Sequence, residues 1–282
     1  MEEFRPGCGD QISQLRRRFE DKTVLVSGAS SGIGAYAAKK LAAEGAKVGL
    51  MARNFKALHA VAHEIKRAGG RAVPVAADLC SSDQINSGVD ELVERFGPVQ
   101  HLIHCAADAT NQVFMVDQLE ENWCHTIDVN LNGAFRLCHS VVGGMVDRKE
   151  GTIVLVSSVA GLRGIASNTS YCAAKHGLIG LGRSLAMELG AFGIRVNSIC
   201  PGIVDAPGTN DMTRYGEAFM NSLRKHHGPA NLTWDRYLHR AINSTAMRRL
   251  ISIKEVVNLS LFLLSHESEG ITGQAISVDG GM

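Results

Sequence analysis

Thr23-Val-Leu-Val-Ser-Gly-Ala-Ser-Ser-Gly-Ile-Gly34 joins a strand to a helix through three glycines. Thr23 to Ser27 is short, apolar and rich in β-branched side chains, the composition of a strand covered on both faces. A helical pattern runs from about Ile33 to Glu44 and stops at Gly45. Between them, Gly28, Gly32 and Gly34 let the backbone turn sharply and approach a ligand closely. The start of the following helix offers unpaired N–H groups and a partial positive charge, which together receive a pyrophosphate. The candidate phosphate loop is therefore Gly28, Ser30, Ser31, Gly32, Ile33 and Gly34. Its spacing is Gly-x-x-x-Gly-x-Gly, not the Gly-x-Gly-x-x-Gly of the ordinary dinucleotide fingerprint.

Outward from this unit the chain keeps alternating. Strands are expected at Lys47–Met51, Arg71–Ala76, His101–Cys105, Thr152–Ser157, Arg195–Ile199 and Ala275–Val278. Helices are expected at about Asn54–Ala68, Ser82–Phe96, Leu119–Arg148, Ser170–Ala191 and Ile253–Leu264. Apolar strands separated by helices predict an α/β fold: a single-domain, Rossmann-like, doubly wound parallel sheet with helices on both faces. Residues 1–20 read as an N-terminal extension and residues 21–282 as one dinucleotide-binding catalytic domain. Asp205 to Arg249 interrupts the alternation with a long polar stretch, and a stretch of that length in a compact domain is functional or mobile.

The 282 residues carry a net charge of +1, from 29 Lys+Arg against 28 Asp+Glu, so no basic excess points to nucleic acid. No run of about 18 apolar residues suggests a membrane span. The first twenty residues hold no apolar core of the signal-peptide kind. Arg16, Arg17 and Arg18 form a small basic cluster, read as a solvated lead-in helix or a weak contact for a membrane or acidic partner. Seven cysteines, odd in number and without a Cys-x-x-Cys pair, fit reduced, cytoplasmic usage rather than disulfides or zinc. His104-Cys105 lacks further ligands at metal spacing, so no metal is expected.

Tyr171-Cys-Ala-Ala-Lys175 supplies chemistry. A tyrosine, with an ordinary pKa near 10, is about one part in a thousand ionised at pH 7. Moving it towards 7 needs about 4 kcal/mol of stabilisation of the phenolate. A lysine four residues on lies one helical turn away on the same face and brings a positive charge. The pair suits proton transfer to or from a reacting oxygen. Ser158, thirteen residues before Tyr171, follows a strand and can donate to that oxygen. Strand alternation turns Ser157 the other way.

The glycine spacing, Tyr171-x-x-x-Lys175, and the tail Ile271-Thr-Gly-Gln-Ala-Ile-Ser-Val-Asp-Gly-Gly281 resemble the short-chain dehydrogenase/reductase family over roughly Asp21 to Met282. The resemblance implies hydride transfer between a nicotinamide dinucleotide and a secondary alcohol or ketone. Tyr171 would be the general acid/base, Lys175 its charge partner, and Ser158 the donor to the substrate oxygen. Asn130 would hold a water in the proton relay behind the lysine. Asp78 and Leu79 should lie by the adenine, Ala106 against the cofactor, and Pro201, Gly202, Ile203 and Val204 by the nicotinamide. At the end of the second strand an acid favours NAD and an arginine NADP. Here Ala52 stands in the acid's place and Arg53 follows, so NADP(H) is expected over NAD(H). Assembly as a homo-oligomer, a dimer or tetramer through the long helices after the fourth and fifth strands, is also implied.

The chain departs from the family pattern at two places. His104-Cys105-Ala106-Ala107 replaces Asn-Asn-Ala-Gly, and Ala206 stands where a threonine often meets the nicotinamide carboxamide. Residues 205–249 would form the substrate lid. They carry seven basic residues (Arg214, Arg224, Lys225, Arg236, Arg240, Arg248, Arg249) against four acidic ones (Asp205, Asp211, Glu217, Asp235), with Tyr215, Trp234 and Tyr237 among them. That excess suits an anionic or carrier-linked ketone, and equally a solvated face or subunit contact. Two other functions stay open: an NAD-linked dihydrodiol-type or cyclic alcohol dehydrogenase, and a non-catalytic NADP(H)-sensing regulator.

Overall fold

The computed structural model describes residues 17–110, 112–207, 209 and 215–282. Cys8, Arg16, Asp211, Arg214 and most of the expected N-terminal extension lie outside the described residues.

Seven strands form one parallel sheet. They are β1 (Thr23–Ser27), β2 (Lys47–Ala52), β3 (Arg71–Ala76), β4 (His101–His104), β5 (Gly151–Val156), β6 (Ile194–Pro201) and β9 (Ala275–Val278). Their order is β3-β2-β1-β4-β5-β6-β9. The chain builds outward from β1 to β3, then crosses back to place β4 on the other side of β1. That reversal opens a crevice above the carboxyl ends of β1 and β4, where open α/β sheets take their ligands. Every residue of β1, β4 and β5 is buried. Pro74, which has no N–H to give a neighbour, sits in the edge strand β3.

Helices cover both faces. On one, α1 (Gly32–Ala43), α2 (Phe55–Arg67) and α9 (Ile253–Leu264) bury Leu41, Leu58 and Leu261 against Val24, Val26 and Val154. On the other, α3 (Ser82–Phe96), α5 (Gly133–Arg148) and α6 (Thr169–Leu189) bury Leu92, Leu137 and Leu178 against Leu25, Leu102 and Leu155. Helix starts follow their capping residues: Asn54 accepts from Ala57 N–H, Ser81 from Gln84 N–H, and Ser252 and Glu255 form a reciprocal capping box on α9.

Two expectations change. The helical region before β5 is α4 (Glu120–Ile127) joined to α5 by a π-type turn at Asp128–Asn132. The stretch expected to be irregular contains β7 (Val204–Asp205), α7 (Gly216–His226) and α8 (Trp234–Asn243), and β8 (Ile251–Ser252) pairs with β7 just beyond it. Its polar composition hid the helices, because their apolar residues bury against one another: Phe219, Met220, Leu223 and Leu232 form a separate small core. The N-terminal basic cluster is also partly spent. Arg18 clamps Glu44 with bonds of 2.6 and 2.7 Å and reaches Glu267 at 3.4 Å, beside the buried Phe19.

Candidate active site

Two cavities meet above the carboxyl ends of the sheet and share Ile33, Cys105 and Ala107 in their walls. The first, of about 640 Å³, gathers Gly28, Ser30, Ser31, Gly32, Ile33, Gly34, Arg53, Asp78, Leu79 and Ala106. These residues come from four separate segments of the sequence, and all were expected to hold the dinucleotide. The glycines divide the work. A Cβ on Gly34 would sit 2.3 Å from the Gly28 carbonyl oxygen, and one on Gly28 would sit 2.7 Å from the Ala106 amide nitrogen. Both are therefore fixed by contact with the protein's own backbone. Gly32 has φ +54° and open space where a Cβ would point.

Helix α1 aims into this space. Its N-cap Ser31 is extended and makes no side-chain cap, and its first turn holds no acid. Its leading N–H groups thus keep their partial positive charge for an anion. Arg53 is exposed and makes no hydrogen bond or ion pair among the described residues. The Asp78 carboxylate accepts from Cys80 N–H at 3.0 Å and so shapes its own turn. Open glycine, uncapped helix start and unpaired arginine fit a phosphate-bearing dinucleotide.

The second cavity, of about 370 Å³, contains Ser158, Tyr171, Lys175, Pro201, Gly202, Ile203 and Val204. Lys175 is 1% exposed, yet an ammonium group this deep needs oxygen partners. Its Nζ donates to the Val156 carbonyl at 3.0 Å and lies 5.6 Å from the centroid of the Tyr171 ring. The two neighbouring serines both follow β5 and both border the cavity, where strand alternation had turned Ser157 away, and they differ in their hydrogen bonds. Ser157 donates to the Lys175 carbonyl at 3.0 Å and so braces α6. Ser158 Oγ accepts from Ala160 N–H at 3.1 Å, which leaves its O–H to donate.

Asn130 lies in the π-type turn and is fully buried. Its Oδ1 accepts from Asp108 N–H at 3.1 Å, and its Nδ2 donates to the carbonyls of Asp108 (2.8 Å) and Thr126 (2.9 Å). The side chain therefore ties the helix turn to the loop after β4. Gln112, which the sequence did not single out, braces the same loop: its Oε1 accepts from Ser170 Oγ at 3.1 Å at the start of α6.

The departure at the end of β4 is structural. His104 is buried and its Nδ1 lies 2.9 Å from Ser27 Oγ. Ser27 Oγ also accepts from Ala106 N–H at 3.4 Å, so the pair ties the end of β1 to the loop after β4. Burial, with the Lys175 charge adding to it, pushes the His104 pKa down to about 3. Burial likewise pushes the Cys105 thiol up to about 12, so it is not a thiolate. No group of three or more metal-ligating side chains exists among the described residues.

The α7–α8 segment covers the second cavity with Tyr215, Trp234, Tyr237, Leu238 and Ala241. Its basic residues go elsewhere. Arg224 bonds the Leu232 carbonyl (2.8 Å), Lys225 pairs with Asp117 (2.7 Å), and Arg249 pairs with Glu255 (2.7 Å). Arg236, Arg240 and Arg248 are exposed and are not on the cavity wall. The cations that do line it are Lys175 and Arg163. Arg163, Asn168 and Thr209 are wall residues without a motif, and only the folded chain brings them in. No helix among the described residues is long and apolar enough to cross a membrane.

A family model described as short chain dehydrogenase matches residues 22–215, and one described as enoyl-(acyl carrier protein) reductase matches residues 230–282. A 3-oxoacyl-[acyl-carrier-protein] reductase of Chlamydia trachomatis is 33% identical over 93% of this chain and 97% of its own. A putative ketoacyl reductase of Streptomyces coelicolor is 31% identical over 93% and 97%. Among solved structures, an actinorhodin polyketide ketoreductase with NADPH superposes with a TM-score of 0.81 at 31% identity, over 94% of this chain and 97% of the other. An NAD+-bound xylitol dehydrogenase reaches 0.87 at 27% identity, over 93% and 99%. The chain belongs to the short-chain dehydrogenase/reductase family, and it is an oxidoreductase built to bind a nicotinamide cofactor.

Proposed function

We propose that this chain interconverts a ketone and a secondary alcohol with NADP(H), and that Tyr171 is the acid/base. The observation that carries the reading is the meeting of Ser158, Tyr171 and Lys175 in one cavity that shares walls with the phosphate-loop cavity. A nicotinamide bound across the two would supply or take the hydride. The Tyr171 hydroxyl gives its proton to the carbonyl oxygen in reduction. Ser158 O–H donates to the same oxygen and stabilises charge as it develops. The Lys175 ammonium, held by the Val156 carbonyl, favours the phenolate left behind. Residues 205–249 are the substrate lid. Relatives named for acyl-carrier-protein substrates support a carrier-linked ketone, with the exposed Arg163 as the cation at the wall. Exposed Phe135 on α5 and Met187 on α6 support a homo-oligomer through those helices.

Arg53 carries the cofactor preference. NADPH should quench protein fluorescence saturably and bind at least tenfold more tightly than NADH, one charge-assisted phosphate contact being worth about 1.5–3 kcal/mol. Arg53→Asp should reverse that order, because an acid accepts from the ribose 2′-OH and repels a 2′-phosphate. If the variant keeps the wild-type ratio, Arg53 does not read the ribose. An NAD+-bound neighbour supports the second reading, an NAD-linked alcohol dehydrogenase, and the same titration decides between them.

A further inference from the structure

We propose that His104 is a positioning residue of the catalytic centre: a water held on its Nε2 steadies the Lys175 ammonium, which in turn eases ionisation of Tyr171. The inference rests on the reading of Tyr171 and Lys175 as the proton-transfer pair and adds a residue to it.

His104 bridges β1 to the loop after β4 with one ring nitrogen, Nδ1, which lies 2.9 Å from Ser27 Oγ. The other, Nε2, is buried and meets no hydrogen-bonding atom among the described residues. A buried polar atom without a protein partner is where an ordered water sits, because the water replaces the lost hydration. The imidazole lies on the face of the sheet that carries Lys175. Alternation along β4 puts His104 on the side of Leu102, and Leu102 shares a core with Leu155 of β5 and Leu178 of α6. Lys175 comes from α6, and its Nζ donates to the carbonyl of Val156. Val156 follows Leu155, the register partner of His104. Lys175 is also the one charge that acts on the ring. Asn130, expected to hold the water behind the lysine, has both side-chain N–H bonds spent on the carbonyls of Asp108 and Thr126. His104 Nε2 is unspent.

The ring is uncharged, since burial pushes its pKa down to about 3. A nearby ammonium favours the tautomer that turns a lone pair towards it. Nδ1–H then donates to Ser27 Oγ, the water donates to Nε2, and the water oxygen accepts from Lys175. An ammonium held in this way stays charged, and its charge favours the phenolate one helical turn away. The other charged or titratable residues on the cavity wall around Tyr171 are Arg163, Cys105, Tyr215 and Tyr237, and the variants below leave them in place.

The test follows Tyr171 itself. Tyrosinate absorbance of the full chain with NADP+ bound is titrated against pH, and subtraction of the matching Tyr171→Phe chain isolates Tyr171. In His104→Leu the midpoint of that ionisation should rise by about 0.5 or more on the pH scale. His104→Gln, whose amide oxygen can accept from the same water, should restore most of the difference. In the unaltered chain, 15N NMR of the histidine rings should show Nε2 bare and Nδ1 protonated. The opposite tautomer overturns the inference, whether or not the variants fold. So does a His104→Leu chain that loses only thermal stability or NADP+ affinity while Tyr171 titrates as before, for His104 is then a structural bridge alone. A Tyr171 that titrates at the ordinary tyrosine value in the unaltered chain, with Nε2 bare, would sink the acid/base reading and leave the water on His104 standing.

Discussion

Tyr171→Phe is expected to lower kcat by a factor of about 10²–10⁴, the range over which a positioned acid/base contributes. The dissociation constant for NADPH should stay within a few-fold. The substitution removes one oxygen and keeps the ring, so its packing against Ala109, Ala160 and Cys172 survives. Gln112 still accepts from the residue 171 amide, because that bond uses the backbone. Ser158 and Lys175 remain in place, so residual turnover reports what they contribute without the proton donor. Stopped-flow NADPH oxidation with a saturating ketone measures the effect. Loss of less than threefold would remove Tyr171 from the proton-transfer step.

Acid should weaken the fold well above the range in which carboxylates titrate. His101 and His104 are buried and neutral, with pKa values pushed down by burial to about 4 and about 3 from 6.5. The sign follows from which state takes the proton first. As pH falls below about 6.5, these histidines charge in the unfolded chain and stay neutral in the folded one, so protons favour unfolding. The stability they allow is whole above about 6.5 and is lost as pH falls towards about 4 and about 3. Between pH 7 and pH 5 each costs about 2 kcal/mol, and about 4 kcal/mol together is a large share of the 5–15 kcal/mol that holds a domain. Asp21, Asp117 and Glu255, held below their ordinary values by Arg71, by Lys225 with His226, and by Arg249, lose their contribution only at lower pH. Urea unfolding at pH 7, 6 and 5 measures the slope. His101→Gln with His104→Asn should flatten it; an unchanged slope would assign the sensitivity to other groups.

The sheet was legible because its strands are buried on both faces. β1 is an apolar run buried throughout, and the limits of β1 and of the two edge strands β3 and β9 agree with the sequence reading, although the edge strands are only partly buried. α7 and α8 were not legible, because their apolar side chains match each other and not a sheet. The π-type turn at Asp128–Asn132 was hidden for a different reason: it is set by Asn130 reaching back to Asp108, a contact between residues that no local pattern connects. The motif residues were legible because each needs its own chemistry at a fixed spacing along one element. The rest of the cavity wall was not, since Arg163 and Thr209 carry no motif and lie on segments that meet only after folding. The direction of the lid's positive charge was not legible either. Charge counted along the chain says nothing of direction, and Lys225 and Arg249 face Asp117 and Glu255.

The strand order has a consequence for the newborn chain. β1 gains β2 on one edge as soon as the first crossover is made, but its other edge waits for β4, and β4 then waits for β5. Each interval leaves a buried-type apolar strand with a bare row of N–H and C=O groups. Nearly all the walls of the nucleotide cavity come from residues 28–110, whereas Ser158, Tyr171 and Lys175 emerge afterwards. A partly synthesised chain can thus assemble much of a dinucleotide site before it holds any proton donor. Long-range parallel pairing is slow to form, so the period of bare edges is when this sequence most needs protection from association with its own copies.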